Sequence, residues 1–384
     1  MQGRRGDKKI GEMKSDQTSD ATAGLSKEQG RILSVDFFRG LVMFILVSGI
    51  ATLFHQMTEQ GHGGAFIAWL DKHSNHGKWF DIYFWDLIQP FFMFIVGVAM
   101  PFSLSKRLAR GDSWKQSFIH ALKRSFWLLL LGFMLGAKDD AYYLTNILPQ
   151  LGLVYVFAFL LLQKNIKWQL AVSFGLILAS DLLYQFWPVE GYNMPYTPDH
   201  NFGAWLDSVT TGHLHPDHWV TFNAVPTCAH ILWGVCTGKL LMTDLSPMKK
   251  LTIMLSTGIA GIMGGYLLGL YIPMIERIGT GSFVVFSGGW CLLAMGFSYL
   301  FVDILRFRKV ATFFAIVGMN PIFIYIFSSL GGKSLLTRMA RPFTHRIFGW
   351  GGDMLINMVT IAVVAFMIWG ICYYMYKRKI FIKL

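Results

Sequence analysis

Long apolar segments separated by short polar connections constrain this chain of 384 residues more than any other feature. A run of about 20 apolar residues is the length that crosses a bilayer as an α-helix. Hydrophobic residues make up 54% of the chain, and only 15% of its residues are charged, whereas a soluble domain has about 25% charged residues. The sequence therefore predicts an all-α, polytopic membrane protein, and it excludes a soluble enzyme, a DNA-binding domain and a disordered protein.

We expect about ten transmembrane helices in one bundle, formed by residues 31–384. Residues 1–30 are polar and lack the apolar core of a signal peptide, so they predict a disordered cytoplasmic tail. The predicted spans are 33–54, 84–104, 117–136, 145–163, 168–187, 222–242, 250–272, 281–304, 311–330 and 355–376.

The positions of lysine and arginine predict the orientation of these spans, because both residues are enriched in cytoplasmic loops. With the N-terminus inside, most of the 34 lysines and arginines fall in cytoplasmic segments, both termini are cytoplasmic, and most of the 11 histidines lie outside. The net charge of +12 then serves topology and contact with anionic lipid rather than nucleic acid. We expect a bacterial inner membrane protein, with a lysosomal membrane as the alternative.

The last outer loop breaks the charge rule, since it contains four basic residues. One interpretation is an interfacial helix whose basic face meets lipid headgroups. The other is a docking surface for an acidic ligand. The residues concerned are Lys333, Arg338, Arg341 and Arg346.

Ionisable residues inside the predicted spans are few, and each is costly to bury in lipid. Asp36 and Arg39 are spaced to pair on one helix face, either as a structural ion pair or as a contact for cytosolic phosphates. Asp86 begins the second span, where a capping role and a role in a site are both open. Asp181 and His230 are interpreted as satisfied interior groups.

Other motifs predict structure rather than chemistry. The string HLHPDH at 213–218 contains zinc-type ligands, but its proline and the lack of further clustered ligands argue against a metal, so we predict no metal site. The four cysteines form no C-x-x-C pair and are expected to be free thiols. Gly234 and Gly238, with the glycines of span 250–272, predict close helix packing.

Five segments together resemble the transmembrane acyltransferases related to heparan-alpha-glucosaminide N-acetyltransferase. The most specific of them is DLIQPFFMFIVG at 86–97, which is similar to the family's D-L-x-x-P-x-F-x-F-x-x-G motif. The resemblance extends over about residues 31–384. The other four segments are RILSVDFFRG at 31–40, HGKW at 76–79, NILPQLGLVY at 146–155 and GMNP at 318–321.

The resemblance implies transfer of an acetyl group from cytosolic acetyl-CoA to the amine of an extracytoplasmic amino sugar or glycan end. His76 matches the family's catalytic histidine by its spacing to Trp79 and Asp86, and it acts either as a base or as a covalent acetyl carrier. We expect His76 and Asp86 to be catalytic, Asp36, Arg39 and Asn320 to bind the acetyl-CoA co-substrate, and Trp79, Gln89, Gln150 and Asp217 to bind the acceptor.

Some positions depart from the family pattern. Ile50 stands where the family often has asparagine, and residues 276–282 lack the family's tryptophan. A second hypothesis is therefore a sugar or amino-sugar transporter on the same fold. Membrane lipid and the acceptor are the expected partners, and a homodimer is left open.

Overall fold

The computed structural model describes residues 32–138 and 141–382. The predicted disordered tail over residues 1–30 lies outside the described residues, as does Arg31 of the first motif. The regular secondary structure of the described chain is helical apart from one antiparallel pair of two-residue strands, β1 Ala137–Lys138 and β2 Ala141–Tyr142. The all-α prediction is confirmed.

Fifteen α-helices are found among the described residues. The first eight are α1 Leu33–Ser48, α2 Ile50–Glu59, α3 Gly64–His73, α4 Ile88–Ala109, α5 Trp114–Gly136, α6 Ile147–Leu161, α7 Ile166–Phe186 and α8 Phe202–Thr210. The other seven are α9 Ala224–Met242, α10 Pro247–Leu268, α11 Gly281–Tyr299, α12 Arg308–Gly318, α13 Pro321–Ser329, α14 Gly332–Phe348 and α15 Gly352–Lys377.

Short helical segments extend or precede some of these helices. A 3₁₀ turn leads into α4, a second leads into α9, a third joins α14 to α15, and a π-helical segment continues α11. These segments are Phe84–Leu87, Thr221–Asn223, Gly349–Gly351 and Leu300–Ile304.

Six segments of the described chain are long and apolar enough to cross a membrane, and the number rises to eight if each of two bent helix pairs is one span. The predicted number of ten is therefore not confirmed. One reason is the length of α6, whose 15 residues rise only about 22 Å against a hydrocarbon core of about 30 Å. The other is α9, whose residues are mostly buried and include several polar side chains. A helix enclosed by other helices needs no uniformly apolar surface.

The two bent pairs are α1 with α2, at 42°, and α12 with α13, at 60°. The first bend falls at Gly49, whose φ of +81° is open to glycine at little steric cost. The second falls between Asn320 and Pro321, where proline cannot donate a backbone hydrogen bond to continue the helix. Both interruptions lie within predicted spans.

Helices α4 and α9 pack with their backbones in close contact. A Cβ added at Gly97 would lie 2.1 Å from the carbonyl oxygen of Ile231, and one at Gly234 would lie 2.1 Å from that of Phe94. At Gly238 the same construction gives 2.4 Å to the carbonyl oxygen of Val98. The predicted role of the Gly234 and Gly238 pair in close packing is confirmed.

The interior polar groups named from the sequence have partners. Asp181 accepts the backbone N–H of Gly281 at 2.9 Å and so caps α11. His230 lies with Nε2 at 2.9 Å from Ser287 Oγ. The four cysteines are free, as predicted.

Helix α14 confirms the predicted helix in the last outer loop. Its protein-facing side includes the buried residues Leu336, Ala340 and Thr344. A second stripe leaves large apolar side chains exposed, and the predicted arginines are exposed as well. The exposed apolar residues are Leu335, Met339, Phe343 and Ile347, and the exposed arginines are Arg338, Arg341 and Arg346.

Candidate functional site

His76 lies at one end of the helix bundle, which we call the outer end, beside two buried carboxylates. Its Nδ1 atom is 2.9 Å from Asp86 Oδ1 and 3.1 Å from Glu276 Oε2. Asp86 is fully buried and Glu276 is 3% exposed, whereas the His76 side chain is 43% exposed. The structure thus brings together His76 and Asp86, the two residues expected to be catalytic. We call His76, Asp86 and Glu276 the outer triad.

Local structure fixes the carboxylate of Asp86. The residue lies in the 3₁₀ turn that leads into α4, where Oδ2 accepts the backbone N–H of Tyr83 at 2.7 Å. The backbone N–H of Gly77 donates to the same carboxylate at 3.2 Å. Asp86 thus caps a helical turn and holds the loop that carries His76. A role of Asp86 in a site stays a prediction.

Glu276 was missed by the sequence interpretation, because it lies 200 positions from His76 in the chain. Its segment is held by Asn223, whose Nδ2 donates to the carbonyl oxygens of Glu276 and Arg277. One feature of the sequence could have indicated Glu276: it is an acidic residue next to an arginine, in a short connection on the histidine-rich side that is predicted to be outside.

Arg277 ties that connection to the His76 loop. Its Nη1 donates to the carbonyl oxygen of Gly77 at 2.9 Å, and its Nε donates to that of Asp217 at 2.8 Å. The guanidinium also lies 5.8 Å from the ring centre of Trp219, whose ring meets the His76 ring edge-on at 5.4 Å. Three separate loops are therefore cross-linked around the imidazole.

The two carboxylates determine the protonation of His76. Partial burial lowers its pKa, but the hydrogen bonds and charges of Asp86 and Glu276 outweigh that effect and raise the pKa to about 9. Burial raises the pKa of Glu276 to about 8, against the opposing effect of His76. At neutral pH the imidazole is therefore mainly protonated.

Because Nδ1 donates to the carboxylates, loss of a proton leaves the lone pair on Nε2. Nε2 has no hydrogen-bond partner within the described residues, and the imidazole side chain is partly exposed. A histidine held in this way can take a proton at Nε2 or attack an acyl carbon.

The outer triad also has the composition of a metal site. One nitrogen and two carboxylate oxygens lie within 4.8 Å of one another, which is a donor set that suits a divalent cation such as zinc. The prediction of no metal site rested only on the string at 213–218. In the structure, two histidines of this string contact other groups: His218 pairs with Asp199 at 2.7 Å, and His215 accepts the backbone N–H of Asp217.

Two of the residues predicted to bind the acceptor substrate lie close to the outer triad but contact other groups. Trp79 donates Nε1–H to the carbonyl oxygen of Tyr196 at 2.7 Å, and its ring meets His218 edge-on. It belongs to an apolar cluster with Phe202 and Ile278. Asp217 is exposed and contributes its carbonyl oxygen to Arg277. Both residues shape the rim of the site.

A cavity of about 110 Å³ lies inside the bundle. Arg39 and Arg124 contribute to its wall, and Arg124 lies 4.7 Å from the ring centre of Tyr155, which lines it as well. The predicted ion pair of Asp36 and Arg39 is formed. We call the end of the bundle nearest these arginines the inner end, and the cavity the inner cavity.

The inner cavity is smaller than an ordinary pocket for a whole ligand, which encloses about 300–1,000 Å³. It therefore suits the slender end of a molecule rather than a nucleotide. A larger groove of about 370 Å³ lies at the side of α4, where Leu104, Leu108 and Leu162 make most of its wall apolar. That groove does not reach the outer triad.

Asn320 lies at the second helix break, next to Pro321 of the cavity wall. Its Nδ2 donates to the carbonyl oxygen of Ile380 at 3.0 Å, and its Oδ1 accepts the N–H of Ile382 at 2.8 Å. The side chain thus anchors the end of the described chain, and the predicted contact with a co-substrate stays a prediction.

Gln89 and Gln150, predicted to bind the acceptor, meet each other inside the bundle. Gln89 Nε2 donates to Gln150 Oε1 and lies 3.4 Å from Asn223 Oδ1. These three amides, which we call the amide chain, begin beside Glu276 and end near the inner cavity. The structure thus places both glutamines deeper than the rim residues.

The chain matches no protein-family model, and it has no significant match among the curated proteins.

Proposed function

We propose that this protein is a transmembrane acetyltransferase that moves the acetyl group of cytosolic acetyl-CoA to the amine of an extracytoplasmic amino sugar or glycan end. The observation that carries the proposal is the position of His76 between two buried carboxylates, with Nε2 unpartnered within the described residues. The motif resemblance over residues 31–384 supports the same reaction. The partly basic inner cavity supports entry of the acyl donor from the other end of the bundle.

In the proposed reaction the amine nitrogen attacks the thioester carbonyl carbon, and the carbon–sulfur bond breaks. Neutral His76 accepts the proton that the amine loses, and the thiolate of CoA takes up a proton as it leaves. In the covalent variant, Nε2 of His76 attacks the thioester first, and the amine then takes the acetyl group from the imidazole. Asp86 holds the imidazole in the required tautomer in both variants.

We also propose ten membrane crossings with both termini in the cytosol of a bacterial inner membrane. The six long segments, the two bent pairs, α6 and α9 together make this number. The positions of lysine and arginine support this orientation. A cysteine introduced at His62 or His213 should react with an impermeant reagent in sealed cells, whereas one at Arg110 should not.

A second candidate function is a transporter for a sugar or amino sugar. The two helix breaks, at Gly49 and at Asn320, favour it, because interrupted helices often form the substrate sites of transporters. The outer triad would then bind the ammonium group of the cargo through its carboxylates.

Release of free thiol from acetyl-CoA by the purified protein in detergent separates the two functions. The acetyltransferase should release thiol faster when glucosamine is added. A transporter would release none with or without the sugar.

A further inference from the structure

The orientation of the amide chain is fixed by its two ends. Gln150 Nε2 donates to the carbonyl oxygen of Thr145 at 3.0 Å, so Oε1 of Gln150 must face Gln89. Asn223 Nδ2 donates to the carbonyl oxygens of Glu276 and Arg277, so Oδ1 of Asn223 also faces Gln89. Two acceptors therefore point at the same side chain.

Gln89 can satisfy both acceptors only through its NH₂ group. The network thus determines which end of the Gln89 amide is nitrogen. Its Oε1 atom points away from both neighbours: it is buried and has no hydrogen-bond partner within the described residues. A buried acceptor without a donor is unfavourable unless a ligand or water supplies one.

The position of Gln89 on its helix connects the outer triad with the inner cavity. Phe92, Val96 and Ser103 line the cavity and lie on one stripe of α4 at helical spacing. Gln89 is the next residue of that stripe toward the outer end, and Asp86 follows one turn later. By the rise of 1.5 Å per residue, Gln89 lies about 21 Å along the helix from Ser103. Along α4, Gln89 therefore lies between the cavity and the turn that carries Asp86.

We propose that Gln89 Oε1 accepts the N–H of the amide closest to sulfur in the pantetheine arm of the acyl donor, which makes Gln89 a positioning residue. This inference rests on the proposed acetyltransferase function. Two methylene groups separate that amide from the sulfur in CoA thioesters, so a hydrogen bond there fixes the thioester a short distance further on, toward His76. The apolar wall below Gln89 suits the methylene groups of the arm.

The test uses two donor analogues that cannot transfer an acyl group. The first is S-acetonyl-CoA, and the second is the same molecule with an ester oxygen replacing the N–H closest to sulfur. Their binding to the full-length protein in detergent is measured by titration calorimetry. The wild type should bind the amide analogue about tenfold more tightly than the ester analogue. The net contribution of one hydrogen bond changes a dissociation constant by about a factor of ten.

Gln89→Leu should reduce that preference to less than about twofold, because the acceptor atom is gone. Gln169→Leu is the matched control: Gln169 is also a buried glutamine, but it donates to the carbonyl oxygen of Leu161 in another part of the bundle. That variant should keep the tenfold preference. A loss of packing alone would weaken both analogues equally and leave the preference intact.

Equal binding of the two analogues to the wild type overturns the inference, even if Gln89→Leu fails to fold. An undiminished preference in Gln89→Leu also overturns it. Thiol release from acetyl-CoA is measured on the same samples to judge the proposed function separately. Thiol release without a preference for the amide analogue contradicts the role of Gln89 but not the acetyltransferase function. A preference for the amide analogue without thiol release contradicts the acetyltransferase function but supports the contact with Gln89.

Discussion

Replacing Glu276 by glutamine should lower the pKa of His76 and move its reactivity to lower pH. Two carboxylates raise the pKa of His76 to about 9 against the opposing effect of burial. At pH 7 only about 1% of the imidazole is then neutral, since each pH unit below the pKa reduces the neutral fraction tenfold. Glu276 is ionised above about pH 8, so in the range where His76 titrates the glutamine variant lacks one of the two charges. The pKa of His76 should therefore fall by at least about one unit.

Carbethoxylation by diethyl pyrocarbonate measures this fraction without any substrate, because the reagent attacks neutral imidazole. In the wild type the rate at His76, followed by peptide mass spectrometry, should rise with pH and level off above about 9. In Glu276→Gln it should level off at least about one unit lower.

Asp199→Asn is the matched control for this prediction, since Asp199 makes a similar carboxylate contact with His218. It should leave the pH profile of His76 unchanged. The same profile for wild type and Glu276→Gln would refute the argument that the buried glutamate holds the proton on the imidazole.

Three further predictions concern activity, packing and the membrane surface. His76→Ala should reduce acetyl transfer by at least about 100-fold while acetyl-CoA binding persists, and His73→Ala should be mild; near wild-type transfer would contradict the role of His76. Gly97→Val should abolish the folded bundle in a detergent melting assay, because its Cβ meets a backbone carbonyl at 2.1 Å, whereas Gly175→Val meets open space and should retain it. Neutralising the three exposed arginines of α14 should lower thermal stability in anionic lipid but spare turnover at saturating substrate; a selective rise in KM for an acidic acceptor would instead indicate ligand docking.

The helical class could be predicted because composition and apolar segment length follow directly from the bilayer. The number of spans could not, since α6 is short for a bilayer and α9 is enclosed by other helices. Neither property is visible in a window of sequence. The glycine contacts of α4 and α9 were predictable, because small residues at a spacing of four mark close helix approach.

The outer triad was predictable in part. His76 and Asp86 are close in the chain, and this short separation suggests that they lie close together in the fold. His76 lies in the connection before α4, and Asp86 lies in the 3₁₀ turn that ends this connection. Glu276 could not be found in this way, because only tertiary packing brings its connection to the His76 loop. The deep position of Gln89 and Gln150 also depends on the packing of α4 against α6, which no local pattern specifies.

Transfer of an acetyl group across the membrane can be measured in sealed vesicles. The full-length protein is reconstituted with glucosamine trapped inside, and acetyl-labelled acetyl-CoA is added outside, with the protein oriented so that its termini face the added donor. We expect labelled N-acetylglucosamine inside the vesicles, matched by free CoA outside, and at least about 100-fold less of both with His76→Ala. Movement of unmodified glucosamine across the membrane without acetylation, or transfer that is undiminished in His76→Ala, would contradict it.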